Sequence, residues 1–228
     1  MAVSKTGKPK PVVIGILAIQ GDFQAHGHSL FRLDVPYRFV KKAAELEELS
    51  GLIIPGGEST TVLKFMENEG FWEPIQALGR KIPIFGTCAG AILLAKMVLN
   101  PSQPSFGFLD MTVRRNAYGR QINSFIRNID LGKEINCGNG SADSFEAVFI
   151  RAPIIEQMAA GGQVIAKLDG FPVLVRQDQF LACTFHPELS EDTRIHRYLC
   201  DMVAFKNSAA SSTIRTAGSE RTISKKKP

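Results

Sequence analysis

A chain of 228 residues with 44% hydrophobic content is long enough to bury a sizeable core in one large domain, and no apolar run in it approaches the ~20 residues that span a bilayer. Its net charge of +5 sits at the ends: residues 1–11 hold Lys5, Lys8 and Lys10, residues 207–228 hold five basic side chains against Glu220, and residues 12–206 between them come to −2. A basic face on the folded body, the usual mark of a nucleic-acid binder, therefore loses its main support, and no membrane-spanning helix is expected.

The first eleven residues, "MAVSKTGKPKP", read as a basic tail. The eight apolar residues after it, "VVIGILAI", have no small-residue cleavage site behind them, so they are expected to form a strand and not a signal peptide. "PVVIGILAIQ", closed by "QGD", has the continuous apolar character of a strand buried on both faces of a parallel sheet. Phe23, His26, Leu30 and Leu33 follow at helical spacing, and "VPYRFVKK" reads as a second strand. "SGLIIPGGES" is a third buried strand ending in a Pro-Gly-Gly turn. Ser59 is placed to cap a helix over "TTVLKFMENEG". "KIPIFG" is a fourth strand, and "AGAILLAKMVL" is expected to be helical. This alternation predicts an open α/β sheet with helices on both faces. From about residue 106 the pattern turns β-rich, and "VIAKLDGFPVLVRQDQFLACTFHPE" predicts three strands with a tight Asp169-Gly170 hairpin. A last helix carries Ile195, Leu199, Met202 and Phe205 on one face, and residues 207–228 are a Ser/Thr-rich basic tail expected to be disordered. One domain, 12–206, results.

Cys88 stands in "GTCAG", between a strand and a helix. Small neighbours suit a strained strand–turn–helix elbow that presents a nucleophile, but they equally suit a tightly packed turn. The base would be His186. "LACTFHPEL" is an extended segment in which Glu188, two residues on, points to the same side as His186 and can fix its tautomer. Together they suggest a Cys-His-Glu hydrolase. His26 and His28 have no acidic partner at orienting spacing, and His196 is expected at the surface or in a cap. The glycines of "PGGEST" could bring N–H groups close to a ligand, with Ala89 N–H as a second oxyanion donor, or could simply make a tight turn. Arg115 and Arg151 could each bind a carboxylate, or be ordinary surface residues. Cys137, Cys183 and Cys200 are expected to be structural. No C-x-x-C or zinc spacing occurs, which points to reduced thiols in a cytoplasmic protein without a metal.

Taken together, "GILAIQGDF", "GLIIPGGESTT", "IPIFGTCAGAILLAK", "RRNAYGRQINSF", "VFIRAP" and "FLACTFHPEL" resemble the class I glutamine amidotransferases, and among them the glutaminase subunits of pyridoxal 5′-phosphate synthase. The resemblance covers most of residues 12–206. It implies a flavodoxin-like three-layer α/β/α domain with a mixed central sheet. It implies further that Cys88 attacks the L-glutamine carboxamide, with His186 as base and Glu188 as its orienter. Gly57, Glu58, Ser59, Arg115, Ile150 and Arg151 would hold glutamine, and Gly57 would pair with Ala89 at the oxyanion. Ammonia would pass to a separate (β/α)8-barrel synthase subunit in a large hetero-oligomer, docked near Gln20 and Gly21, and no cofactor is implied. Another class I amidotransferase serving a different acceptor, and a non-catalytic regulatory subunit, are the alternatives. The family pattern is departed from at the Gly/Asn-rich 132–145, at Arg114 and in both tails.

Overall fold

The computed structural model describes residues 12–115, 124–133, 135 and 144–220, with 209–220 as backbone alone. The basic segment 1–11, residues 116–121 of the "RRNAYGRQ" motif, Cys137, most of the Gly/Asn-rich 132–145 and the end of the C-terminal tail lie outside the described residues.

The first half alternates as expected: β1 (Ile14–Leu17), α1 (Phe23–Arg32), β2 (Tyr37–Val40), β3 (Gly51–Ile54), α2 (Ser59–Asn68), α3 (Trp72–Leu78), β4 (Ile84–Thr87) and α4 (Ala89–Leu94). The second half is β5 (Ala95–Leu99), β6 (Leu109–Arg114), β7 (Ser124–Asp130), β8 (Ser144–Ile150), β9 (Ile154–Met158), β10 (Gln163–Leu168), β11 (Phe171–Gln177), β12 (Phe180–Cys183) and α5 (Arg194–Glu220). Seven strands make the central sheet in the order β10-β11-β12-β4-β3-β1-β2. Pairing is parallel from β12 to β2 and antiparallel across the β10-β11-β12 edge, so the sheet is mixed.

Alternation along the central strands makes the three layers. Leu17, Leu52 and Ile54 point into a core built with Val62 and Met66 of α2, Ile75 of α3 and Leu93 of α4. Ile14, Ile16, Ile53 and Phe85 point the other way, against Leu30 of α1 and Ile195, Leu199 and Val203 of α5. A strand with helices on both faces must be apolar on both, which is why β1 and β3 are buried at every residue. The remaining strands form a three-stranded sheet, β5-β6-β9, and a ribbon, β7-β8. An aromatic stack links the three-stranded sheet to the main one: Trp72 on Phe106 at 4.3 Å, Phe106 on Phe108 at 5.2 Å, and Phe108 on Phe180 at 4.7 Å between ring centroids.

Four details differ from the expectations drawn from the sequence. The helix after Cys88 stops at Leu94 and the chain turns extended at Ala95 (ψ 152°), because β5 finds backbone partners along β6 and buries Val98 there. Tertiary pairing outweighs the helical propensity of "AKMVL". Helix α3 and strand β9 have short, Pro-interrupted or mixed patterns that do not announce them. Phe205 is 74% exposed; the buried stripe of α5 runs through Ile195, Leu199, Met202 and Val203 instead. The backbone of α5 continues to Glu220, past the domain end expected at 206. Among the described residues no helix is long and apolar enough to cross a membrane.

Close packing of α4 on the sheet rests on Gly90: a Cβ there would collide with the carbonyl oxygen of Ile54 on β3. Gly90→Ala should therefore cost about 3 kcal/mol, at the upper end for overpacking because backbone and not a flexible side chain must give way. Urea unfolding should show this as a lowered midpoint with an unchanged slope.

Candidate active site

The carboxyl ends of β1, β3, β4 and β12 all point to one edge of the sheet, the place where open α/β sheets bind ligands. Each strand hands over to a loop carrying candidate side chains. After β4 comes Cys88, at φ 48° and ψ −103°, a left-handed backbone rarely adopted by a residue with a Cβ. That is the strained elbow its small neighbours suit, and Ala89 opens α4 directly behind it. The thiol donates to Ile150 O at 3.8 Å and shares the lining of one cavity with the His186 imidazole. Gly56, from the loop after β3, is pressed against both: a Cβ on it would strike the His186 ring and lie 3.3 Å from Cys88 Cβ.

His186 follows β12 and leads into a short 3-10 turn, Pro187–Leu189. Its Nδ1 lies 2.8 Å from Glu188 Oε1, so the i, i+2 pairing expected of an extended segment is formed. Both residues are only 6% exposed. Burial acts to lower the His186 pKa, but hydrogen bonds and charge at Cys88 and Glu188 outweigh it and raise it to about 10. Burial likewise acts to raise the Glu188 pKa; His26 and His186 outweigh it, and the carboxyl is held below its ordinary value.

A cavity of about 270 Å³ opens over Cys88 and His186. This is below the ~300–1,000 Å³ of pockets for drug-sized ligands and suits a small metabolite. Gln20, Gly21, Gly57, Glu58, Ser59, Arg115, Ile150 and Arg151 line it together with Cys88 and His186. Every candidate named from the sequence is thus at this cavity, with Ala89 and Glu188 immediately behind its wall. The structure adds Asp22, Ile92 and Pro153.

The loop after β3 is held by specific contacts. Glu58, not Ser59, caps α2: its carboxylate accepts from Thr60 N at 3.0 Å and from Thr61 N at 2.8 Å. Ser59 is the first helical residue, and its hydroxyl donates to Gln103 Oε1 at 3.1 Å. Gln20 Oε1 accepts from Glu58 N at 3.3 Å, which ties the β1 loop to the β3 loop. Arg115 is 8% exposed, donates to Thr60 Oγ1 at 2.9 Å and stands 3.5 Å from Glu58 Oε1. Arg151 is exposed, at φ 45°, between β8 and β9. Two guanidinium groups lining one cavity with Cys88 and His186 could hold the carboxylate of a small molecule while its other end reaches the thiol.

Asp22, His186 and Glu188 bring potential metal-ligand atoms within 4.8 Å of one another. The His186–Glu188 hydrogen bond already uses one atom from each of the two buried members, an arrangement suited to orienting a base. Cys183 is fully buried on β12 with its thiol donating to Phe185 O at 3.2 Å, and burial pushes its pKa well above the ordinary value, as fits a structural thiol.

Two buried residues are not signalled by the sequence motifs. His26 and His196, both 0% exposed, meet behind Glu188, with His26 Nδ1 2.9 Å from His196 Nε2. His196 is not at the surface or in a cap. The available signal is register: His26 shares the apolar stripe of α1, and His196 precedes Leu199 and Val203 by three and seven residues.

Comparison with known proteins shows the family. The profile of the SNO glutamine amidotransferase family matches residues 16–205. A protein of Koribacter versatilis described as "Pyridoxal 5'-phosphate synthase subunit PdxT" is 52% identical over 195 residues, 86% of this chain and 97% of its own. One of Solibacter usitatus with the same description is 48% identical, covering 80% of this chain and 95% of its own. A solved structure described as a glutamine amidotransferase superposes with TM-score 0.75 at 43% identity, over 84% of this chain and 98% of the other. A glutamine amidotransferase of Thermotoga maritima (TM-score 0.54, 16% identity, 94% and 93% of the two chains) shares the fold.

The Glu58 cap has a consequence for stability. Burial would raise its pKa, but hydrogen bonds from Thr60 and Thr61 prevail and hold it at about 2, against an ordinary 4.5. A depressed carboxyl stabilises the fold above its unfolded pKa and ceases to as pH falls through the folded one. Glu58→Ala should thus destabilise by about 1 kcal/mol at pH 7, in the range of lost helix caps. Urea titrations from pH 7 to pH 3 should show the gap to the unsubstituted protein narrowing below pH 5.

Proposed function

The chain belongs to the SNO glutamine amidotransferase family, and we propose that it hydrolyses L-glutamine to L-glutamate and ammonia at Cys88, supplying the ammonia to a pyridoxal 5′-phosphate synthase. The observation that carries this reading is the His186 Nδ1–Glu188 Oε1 hydrogen bond of 2.8 Å behind a strained cysteine that faces a metabolite-sized cavity. A nucleophile, a base and a carboxylate that fixes the base's tautomer are the parts that acyl transfer requires.

In the proposed sequence, glutamine lies with its α-carboxylate toward Arg115 and Arg151 and its carboxamide carbon at Cys88 Sγ. Gly57, Glu58, Ser59 and Ile150 complete its binding. Sulfur bonds to the carboxamide carbon with the proton shared by the Cys88–His186 pair resting on the imidazole, the state its raised pKa favours, and the C=O electron pair moves onto oxygen. The N–H groups of Gly57 and Ala89 take the resulting oxyanion. Collapse expels the amide nitrogen, which receives the His186 proton and leaves as ammonia. The glutamyl thioester is then opened by water, deprotonated by His186, and the sulfur leaves with that proton to restore the thiol. Glu188 stays ionised throughout and holds the imidazolium in place.

Relatives described as subunits of a synthase imply a second subunit here. We infer a (β/α)8-barrel partner in a hetero-oligomer that docks by Gln20 and Gly21. The contact from Gln20 to Glu58 N gives docking there a path to the Gly57 loop. The three described cysteines are free, which suits a reducing cytoplasm.

The test is glutamate release measured with and without the partner synthase. Cys88→Ala should abolish release in the presence of the partner, by 10³-fold or more for a lost nucleophile. Cys183→Ala should leave turnover within about threefold; the reverse pattern overturns the assignment. Pyridoxal phosphate formed by the pair from glutamine fixes the acceptor, whereas glutamine hydrolysis without product would point to a different synthase.

A further inference from the structure

The reaction above leaves one oxygen of Glu188 unexplained. Oε1 accepts from His186, but Oε2 is buried with no hydrogen-bond partner among the described residues. A buried carboxylate oxygen left bare is costly, because nothing replaces the water it lost. The polar atom facing it is His26 Nε2, at 3.4 Å, with both side chains 0% exposed. His26 Nδ1 in turn lies 2.9 Å from His196 Nε2, and the Phe85 ring stands edge-on to both imidazoles, at 6.4 and 6.1 Å.

One tautomer of the pair fits these surroundings. A neutral imidazole carries one N–H, and an ionised carboxylate can only accept. His26 must therefore carry its proton on Nε2 to face Glu188, which leaves Nδ1 to accept from His196 Nε2–H. The opposite tautomer would aim a lone pair at a carboxylate. Thr87 Oγ1, 3.4 Å from His26 Nε2, borders the same proton. Burial, chiefly, lowers the pKa of both histidines, that of His196 to about 3, so both stay neutral.

We propose that His26, with its proton placed by His196, is a positioning residue that donates from Nε2 to Glu188 Oε2 and so fixes the carboxylate that orients His186. This rests on the reading of Cys88, His186 and Glu188 as the reacting set. The 3.4 Å separation is long for a hydrogen bond, and contacts of this kind tighten when substrate fills a site. Held from both oxygens, Glu188 cannot swing away from His186 as the imidazolium forms. Without His26 it keeps one tether and loses that restraint.

The test compares two buried amides in the complex with the partner synthase. His26→Gln places an N–H donor near the position of Nε2 and keeps the contact to Glu188. His26→Asn places its polar group near the position of Nδ1, keeps the contact to His196 and abandons Glu188. Rates are taken per active site, counted by alkylation of Cys88. His26→Asn should lower kcat by about 10- to 100-fold, the effect of one hydrogen bond to a charged group, with KM for glutamine within about twofold. His26→Gln should restore most of the loss.

The pH–rate limb governed by His186 should move to lower pH in His26→Asn, because a loosened Glu188 stabilises the imidazolium less. The charged and titratable groups facing these rings are few. Cys88, Glu188 and His26 stand near His186; Glu188, His186, His196 and Asp22 near His26; and His26, Glu188 and Arg32 near His196. Equal activity of the two variants, or a limb that stays in place or moves up, overturns the proposal. If both amides prevent folding, His196→Phe decides: it removes the donor to His26 Nδ1 and should cost kcat several-fold, and an unchanged kcat overturns the pairing. Failure of the unsubstituted complex to release glutamate defeats the underlying reading, and the proposal with it; normal release with insensitive variants defeats the proposal alone.

Discussion

A carboxylate taken out of water must be given N–H donors or it takes up a proton and ceases to attract a cation. Glu188 is such a carboxylate, and its demands organise the centre of the molecule. It draws His186 from two residues upstream, which sets the path of the chain as it leaves β12. It faces His26, which fixes where α1 lies on the sheet, and through His26 it reaches His196, which fixes the first turn of α5. Both helices of one layer therefore converge on a single charge. The low dielectric around that charge strengthens each interaction it makes, so errors of a few tenths of an ångström in the placement of α1 or α5 would be felt at His186.

The opposite layer meets a different requirement. Cys88, the Gly56–Gly57 loop and the side chains that line the cavity follow separate strands, and they converge only because β1, β3, β4 and β12 run parallel and end at one edge. The close approach of α4 to β3, possible at Gly90, brings the Cys88 elbow beside the Gly56–Gly57 turn. Small residues thus set the distance between two loops that have no other reason to touch. The β-rich second half contributes differently: β6 delivers Arg115 to the rim, and β8 delivers Ile150 and Arg151.

How far the site is legible in the sequence depends on the range of the interaction. Cys88, His186 and Glu188 are readable because their chemistry is local: an elbow written in small residues, and an i, i+2 pair on an extended segment. The central strands are readable for the same reason, since burial on both faces leaves an uninterrupted apolar run. His26 and His196 are not, because they are 170 residues apart and each resembles an ordinary polar residue in an amphipathic helix. The cap expected at Ser59 falls one position earlier because a Glu can turn back on its own helix when Thr60 and Thr61 offer N–H groups. Strand β5 looks helical in sequence because its pairing partner β6 begins ten residues after β5 ends, beyond the reach of a local pattern.

The stack from Trp72 through Phe106 and Phe108 to Phe180 gives this molecule an optical property. Its one tryptophan sits at the end of a column of rings whose far end is the first residue of β12, the strand that leads to His186. Indole emission responds to the packing and polarity of what it stacks on. A shift of the three-stranded sheet against the central one would therefore be written into the fluorescence of an unlabelled chain. The protein carries a built-in reporter of the alignment between the rim that bears Arg115 and the strand that leads to His186.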